Sequence, residues 1–284
     1  MIAVAIATAD GGRAASLLRC IAAIVDGSLL PTRLLVVDQS GGIEIANALD
    51  GLEVPFPLDR IDQAPLGLAA SRNLALDRLD EDIVAVTDDD CAPEPGWLAA
   101  IAAAFGDSPN LSAVTGPVLP LPPAGDRILA VSTRAAAPRR EFGRWSAPWH
   151  VGTGGNMAFS RSRLGTLRFD RRLGAGTRGR AGEDLDIVRR LLAAGGQIRF
   201  EPAAVVRHER QTVERRRASR FAYGHGVGAM VGIGVREGDV ATAVLLARWL
   251  VLRGRLALRP GGVGEEARVL AGTLAGLAYG ARSR

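Results

Sequence analysis

Through its first half the chain alternates short, nearly continuous apolar runs with stretches of helical pattern. The runs IAVAIAT, RLLVVD, DIVAVT and LSAVTGPV are built from Val, Ile, Leu and Ala, as strands buried on both faces are. Between them lie helix patterns from about Ser16 to Val25, in LAASRNLALDRL and in GWLAAIAAAF. Strands separated by helices cannot pair as hairpins, so each helix must cross back over the sheet. An α/β fold is therefore expected, with βαβ units around a mainly parallel sheet covered by helices. At 284 residues and 48% apolar content there is ample material for one large core, and general disorder is excluded.

Such a sheet binds ligands beyond the carboxyl ends of its strands, at a topological switch point. Two runs end in carboxylates at that place: RLLVVD in Asp38, and DIVAVT in Asp88, Asp89 and Asp90. Adjacent like charges repel, so a folded chain keeps them only where water solvates them or a cation neutralises them. If the strand continues through them, Asp88 and Asp90 share one face and Asp89 takes the other. That pair is half a site for a hard divalent cation, completed by water and phosphate oxygens. A solvated acidic turn is the competing account.

Farther along, AGEDLDIVRRLLAAGG reads as a helix that opens on Glu183 and Asp184 and ends in glycines. The amino end of a helix keeps a carboxylate ionised, and an ionised carboxylate facing a cleft accepts a proton from an incoming hydroxyl. Simple capping explains the same letters. Residues 119–150, rich in Pro, Arg and Trp and without a period, read as a long irregular excursion that carries Trp145, Trp149 and His150. Loops of that length inside a domain are uncommon and often functional. QIRFEPAAVVRHE reads as one strand-like return.

The only cysteines are Cys20 and Cys91, with no CxxC pair. Neither a disulfide framework nor a structural zinc site is expected, and a reducing compartment fits. MIAVAIATADGG lacks a basic leading segment and reads as a first strand, so export is not expected. Every basic residue is arginine, and they are unevenly placed: residues 207–284 hold 14 against 6 carboxylates, residues 1–206 hold 21 against 24. In VATAVLLARWLVLRGRLALR, Arg248, Arg255 and Arg259 share a helical stripe beside Leu and Trp, the pattern of a helix lying on an anionic membrane surface. The longest uncharged run there, 221–235, is 15 residues, short of the roughly 20 that span a bilayer. Peripheral attachment at the cytoplasmic face of a membrane is one expectation. Helices packed on the domain, or in an oligomer, are the other.

In order and spacing, Thr8-Ala9-Asp10, VVDQS, GLAASRN (67–73), DDDCAPEPGWL, GTGGNMAFSR from Gly152, GEDLDIVRRLLAAGG and His208 resemble a family 2 glycosyltransferase of the GT-A type. The resemblance covers residues 1 to about 210. It implies a catalytic domain over 1–210, with a nucleotide-sugar half (1–118) and an acceptor half (119–210), followed by a basic helical extension (211–284). It implies transfer of one sugar from a UDP-, dTDP- or GDP-sugar to a saccharide or lipid-linked acceptor, with Mn2+ or Mg2+ as cofactor. By the family's pattern Thr8 and Asp38 contact the nucleoside, and Arg72 lies near the nucleotide-sugar unless it is a helix surface charge. Asp88 and Asp90 form the DxD motif, Asp90 being the better metal ligand and Asp88 a ribose or second metal contact. His208 completes the metal or diphosphate site. Asp184 is the catalytic base, with Glu183 beside it. Gly154, Gly155 and Asn156 shape the acceptor side, which Trp149 borders, either stacking on a sugar or buried against the sheet. With no second carboxylate placed as a nucleophile, a single displacement that inverts the anomeric centre is expected.

Two departures limit this. Ala7-Thr8-Ala9-Asp10 stands where the family commonly has Pro-Thr-Tyr-Asn, so an aromatic partner for the base is lost and the nucleotide stays open. The Gln-x-x-Arg-Trp signature of processive synthases is absent, QTVERRR from Gln211 being no match, so one sugar per encounter is expected. A nucleotidyltransferase is the enzyme alternative, but ATADGGR is a poor phosphate loop. A non-enzymatic nucleotide-sugar binder is the other. Nucleic acid is not expected as a partner, since 5% aromatic content leaves little for base stacking.

Overall fold

The computed structural model describes residues 1–122, 128–129 and 137–283. The chain begins with β1 (Ile2–Thr8), α1 (Ala14–Val25), β2 (Arg33–Asp38), α2 (Glu44–Leu49), β3 (Leu58–Asp62), α3 (Leu68–Arg78) and β4 (Ile83–Asp88). It continues through β5 (Cys91–Pro93), α4 (Trp97–Asp107), β6 (Leu111–Thr115), β7 (Val118–Pro120), β8 (Ile128–Leu129) and β9 (Arg140–Phe142). Next come β10 (Asn156–Ser160), α5 (Arg161–Leu164), α6 (Glu183–Ala193), β11 (Gln197–Phe200), β12 (Val206–His208) and β13 (Gln211–Thr212). Three helices close the chain: α7 (Val213–Arg236), α8 (Ala241–Ala257) and α9 (Gly262–Gly280).

Among the described residues the main sheet has eight strands in the order β3-β2-β1-β4-β10-β6-β11-β9. The half from β3 to β4 is parallel, whereas β10 runs antiparallel between β4 and β6. Strand order reverses at β1, whose neighbours are β2 on one side and β4 on the other. The switch point lies at Thr8 and Asp88, where those strands end. Alternation along β1 fills both faces: Val4 and Ile6 pack with Leu17 and Ile21 of α1, while Ala3 and Ala5 pack with Ala69 and Leu76 of α3. Each large aliphatic side chain removed from water contributes about 1.5–3 kcal/mol, and the periods of two and 3.6 direct those contributions to opposite sides of one sheet.

Local breaks divide the longer apolar runs. LSAVTGPV splits at Gly116-Pro117 into β6 and β7, and QIRFEPAAVVRHE splits after Phe200, just before Pro202, into β11 and β12, which pair in different sheets. β4 ends at Asp88, so the three aspartates do not continue one strand; Asp89 and Asp90 form the turn into β5. Helix α2 and strand β3 had no signal strong enough to be anticipated. Of the excursion over 119–150, β7, β8, β9 and a 3-10 turn at Pro148–His150 are ordered elements, and the parts at 123–127 and 130–136 lie outside the described residues.

The C-terminal helices share a core with the domain. Val227, Met230, Val231, Trp249 and Val269 cluster with Trp149, Leu173 and Leu185. Helices α7 and α9 run in step, Gly224 meeting Val269 and Gly228 meeting Thr273, so they are parallel and α8 is their crossover. Glycines at a spacing of four on both helices bring the backbones together: a Cβ on Gly228 would stand 2.1 Å from the Thr273 carbonyl oxygen, and one on Gly276 2.0 Å from that of His225. Helix α7 also presses on the start of α6. Gly182, which caps α6 at φ 89°, would place a Cβ 2.8 Å from the Gly226 backbone, so glycine satisfies both the left-handed turn and the close approach.

Candidate functional site

A cleft of about 510 Å³ opens at the switch point. The ends of β1 and β4 form its floor with Thr8, Asp10 and Asp88–Asp90; Gln39, Gly67 and Ser71 form one wall, and His208 to Gln211, with Arg215 and Ser219, form another.

Arg13, which the sequence reading did not single out, organises the aspartates. Asp10 caps the short turn Gly11–Arg13 by accepting from the Gly12 N–H at 2.9 Å. That aims Arg13 inward, where Nη1 is 2.6 Å from Asp89 Oδ1 and 3.0 Å from Asp90 Oδ2. The Thr8 hydroxyl donates to Asp89 Oδ2 at 2.7 Å. Burial holds Asp89 above the usual carboxylate range, with Arg13 and Thr8 pulling the other way. Burial also raises Asp90, opposed by His208 and reinforced by Asp88.

His208 arrives from the far end of the domain because β12 pairs antiparallel with β5, setting His208 opposite Cys91. Its Nδ1 is 2.8 Å from the Glu209 carbonyl oxygen, which only accepts, so Nδ1 carries the proton. Its Nε2 then points at Asp90 Oδ1, 3.2 Å away. Two lone pairs at that distance repel unless a proton or a metal ion stands between them. One ligand atom each from Asp88, Asp90, Cys91 and His208 lies within 4.8 Å of the others. Burial pushes the Cys91 thiol well up, so it offers no thiolate to a hard cation. Two carboxylates and an imidazole oriented by the Glu209 carbonyl are a donor set that fits Mn2+ or Mg2+.

Arg72 is buried, not a surface charge. Its Nη2 donates to Asp88 Oδ1 at 2.9 Å and to the Gly154 carbonyl at 3.0 Å, and its Nη1 to Glu183 Oε1 at 3.0 Å. Burial works against its charge, but Asp88 and Glu183 outweigh that and keep it more basic than a free arginine. It is a strut between the aspartate cluster and the start of α6. There Asp184, half-buried, accepts from the Gly154 N–H at 2.9 Å and from the Leu185 N–H at 2.8 Å. Burial raises Asp184, against the pull of Arg72 and those two N–H groups. Glu183 is raised to about 7, by burial first and then by the neighbouring Asp184 charge.

Other anticipated residues occupy different settings. Asp38 is not in the cleft wall: its Oδ2 is 2.8 Å from Arg60 Nη1 and its Oδ1 accepts from the Ser40 N–H at 2.8 Å. Gln39 faces the cleft instead, its amide paired with both the N–H and the carbonyl of Gly67. Asn156 is spent on structure, with Oδ1 taking the Trp97 indole N–H at 2.9 Å and Nδ2 donating to the carbonyls of Pro117 and Ala204. Trp149 is buried, but against the C-terminal helices and not against the sheet: it packs edge-on on Trp249, ring centres 5.2 Å apart. Trp145 is 82% exposed. Gly155 stands beside Asp88, and a Cβ there would be 2.8 Å from Asp88 Oδ2.

Residues 1–223 match the family model described as glycosyltransferase-like family 2. Pre-mycofactocin glycosyltransferases of two strains of Mycobacterium tuberculosis are 26% identical over 217 residues, 74% of this chain and 44% of theirs. The chain thus spans less than half the length of these curated relatives. In shape it is similar to the mannosyltransferase PcManGT of Pyrobaculum calidifontis, solved with GDP-Man and Mn2+: TM-score 0.65, 18% identity, 97% of this chain and 86% of that one. It is also similar to residues 1–349 of S. aureus TarS, solved with UDP-GlcNAc: TM-score 0.58, 13% identity, 81% of this chain and 66% of that one. Likeness at these identities shows the fold, an α/β domain of the GT-A type.

Proposed function

The chain belongs to the glycosyltransferase-like family 2, and from that premise we propose that it moves one sugar from a nucleotide-sugar to an acceptor hydroxyl with inversion. The observation that carries the reading is the convergence of Asp88, Asp90 and His208 at the switch point, tied through Arg72 to the carboxylates that open α6. Asp88, Asp90 and His208 would hold a divalent cation, whose charge stabilises the departing diphosphate. Arg72 keeps Asp88 in place. Asp184, fixed by two backbone N–H groups, accepts the proton of the acceptor hydroxyl. Relatives bound to GDP-Man and to UDP-GlcNAc keep both nucleotides open for this chain, along with dTDP. Calorimetric titration with UDP, dTDP and GDP, each with and without Mn2+, tests the donor side: one nucleotide is expected to bind, and only with metal. Indifference to metal would sink the DxD assignment and leave a non-enzymatic binder. A product of retained anomeric configuration would refute inversion.

The acceptor is a saccharide or lipid-linked saccharide, and the site of action the inner face of a membrane. Support comes from α8. Its outer face exposes Val244, Leu250 and Val251 beside Arg248 and Arg255, with Leu258 and Arg259 following, and α8 contains no Asp or Glu. Its one inward arginine, Arg253, is neutralised by Glu266 at 3.2 Å and stacked on Trp249. No helix among the described residues is long and apolar enough to cross a membrane. Co-sedimentation with phosphatidylglycerol vesicles but not with phosphatidylcholine vesicles is expected, and should weaken with salt. Equal recovery in the supernatant with both would exclude this attachment.

A further inference from the structure

Among the described residues most charges in the cleft wall have a hydrogen-bond or ion-pair partner. Arg13 is held by Asp89 and Asp90, His208 faces Asp90, and Arg210 donates through Nε to the Leu121 carbonyl at 2.8 Å. Glu209 is taken by Ser16 and Arg19. Arg215 also lines the cleft, yet among the described residues its exposed guanidinium has no hydrogen-bond or ion-pair partner. Its backbone is nonetheless fixed: Thr212 caps α7 and accepts from the Arg215 N–H at 3.2 Å. Arg215 and Ser219, four residues apart, turn one face of the start of α7 toward the cleft, beside Gln211 of β13. Glu214, the acid of that first turn, is not in the cleft wall, and hydrogen bonds to its own N–H and to Thr212 keep its pKa low. The free cation therefore sits at the positive end of a 24-residue helix, where anions are favoured.

We propose that Arg215, carried into the cleft by the C-terminal extension, binds the diphosphate of the nucleotide-sugar donor as a cationic contact beside Asp88, Asp90 and His208. This rests on the sugar-transfer reading above and adds a part for the extension in it. A guanidinium matches two phosphate oxygens with two parallel N–H bonds. The contact strengthens as the diphosphate departs and its charge grows, so both donor affinity and turnover draw on it. It also gives the uneven charge of the chain a purpose: an arginine-rich extension completes a cleft whose floor is acidic.

The test compares wild type, Arg215→Gln, Arg215→Lys and Arg217→Gln, with Mn2+ present, for binding of UDP, dTDP and GDP and of the matching monophosphates. Arg217 is exposed and not in the cleft wall. Arg215→Gln should weaken diphosphate binding on the order of tenfold, a modest figure because solvent and salt screen an exposed guanidinium. Monophosphate binding should be unchanged, Arg215→Lys should recover part of the loss, and Arg217→Gln should match wild type. Equal thermal midpoints for the two glutamine variants establish that the fold is intact. If wild type binds a diphosphate and Arg215→Gln binds it equally well, the proposal falls while the donor reading stands. If wild type binds none of the three, both fall.

Discussion

Asp184→Asn is expected to lower kcat by about 100- to 10,000-fold, the range that a positioned general base contributes, with little change in nucleotide affinity. Affinity is spared because Asp184 is not in the wall of the donor cleft; it is fixed beyond Arg72 by the N–H groups of Gly154 and Leu185. Asparagine keeps one acceptor for the Gly154 N–H but cannot take a proton from a hydroxyl. The pH profile gives the same result in another form. Burial raises Asp184 and brings Glu183 to about 7, so the base is protonated on the acid side and freed as pH rises. Wild-type kcat should therefore rise with pH at values above the usual carboxylate range, and level off once Asp184 is ionised. In Asp184→Asn the residual rate should lose that climb, since the group that must shed its proton is gone. Single-turnover kinetics across pH 5.5 to 9 measure both, and a variant with wild-type kcat would remove Asp184 from the base role.

Asp90→Ala is expected to abolish metal-dependent nucleotide binding. Losing a residue that merely orients a ligand costs about 10- to 100-fold in metal affinity, and loss of a carboxylate that coordinates directly should cost at least that. Without Asp90 the His208 Nε2 has no carboxylate partner, and Arg13 keeps only Asp89. Calorimetry of Mn2+ with the nucleotide, and chelation of wild type with EDTA, should give matching losses. If the variant binds Mn2+ and nucleotide as wild type does, the three aspartates are a structural cluster neutralised by Arg13 and Arg72. Asp90→Asn separates charge from volume and should behave like the alanine variant.

Much of the donor side is legible in the chain itself because it depends on neighbours in sequence. A buried strand that ends in carboxylates must present them at the carboxyl edge of a parallel sheet, whatever else the fold does, and a helix that opens on Glu183 and Asp184 must present those at its amino end. Asp88, Asp90 and Asp184 follow from local pattern in this way. Arg13 does not: ATADGGR reads as a weak phosphate loop, and its function as counter-charge for Asp89 and Asp90 exists only once β1 and β4 lie side by side. Asp38 and Gln39 show the limit of one-residue resolution. The end of β2 is where expected, but Arg60 on the adjacent β3 claims Asp38 and leaves Gln39 facing the cleft.

The layering of the domain and the placement of acids at strand and helix ends are local properties of the chain, because both follow from periods of two and 3.6 and from backbone polarity. Which distant groups meet depends on how the elements pack. His208 reaches Asp90 through the pairing of β12 with β5, Arg72 spans from Asp88 to Glu183, and Trp149 turns inward to Trp249. The C-terminal helices carry the same lesson. Their composition reads as a surface stripe, yet glycines at every fourth position draw α7 against α9, bury Trp249 and Arg253, and set Arg215 at the mouth of the cleft. Contacts of that kind join residues far apart in sequence, 111 positions for Arg72 and Glu183, and no local period encodes them.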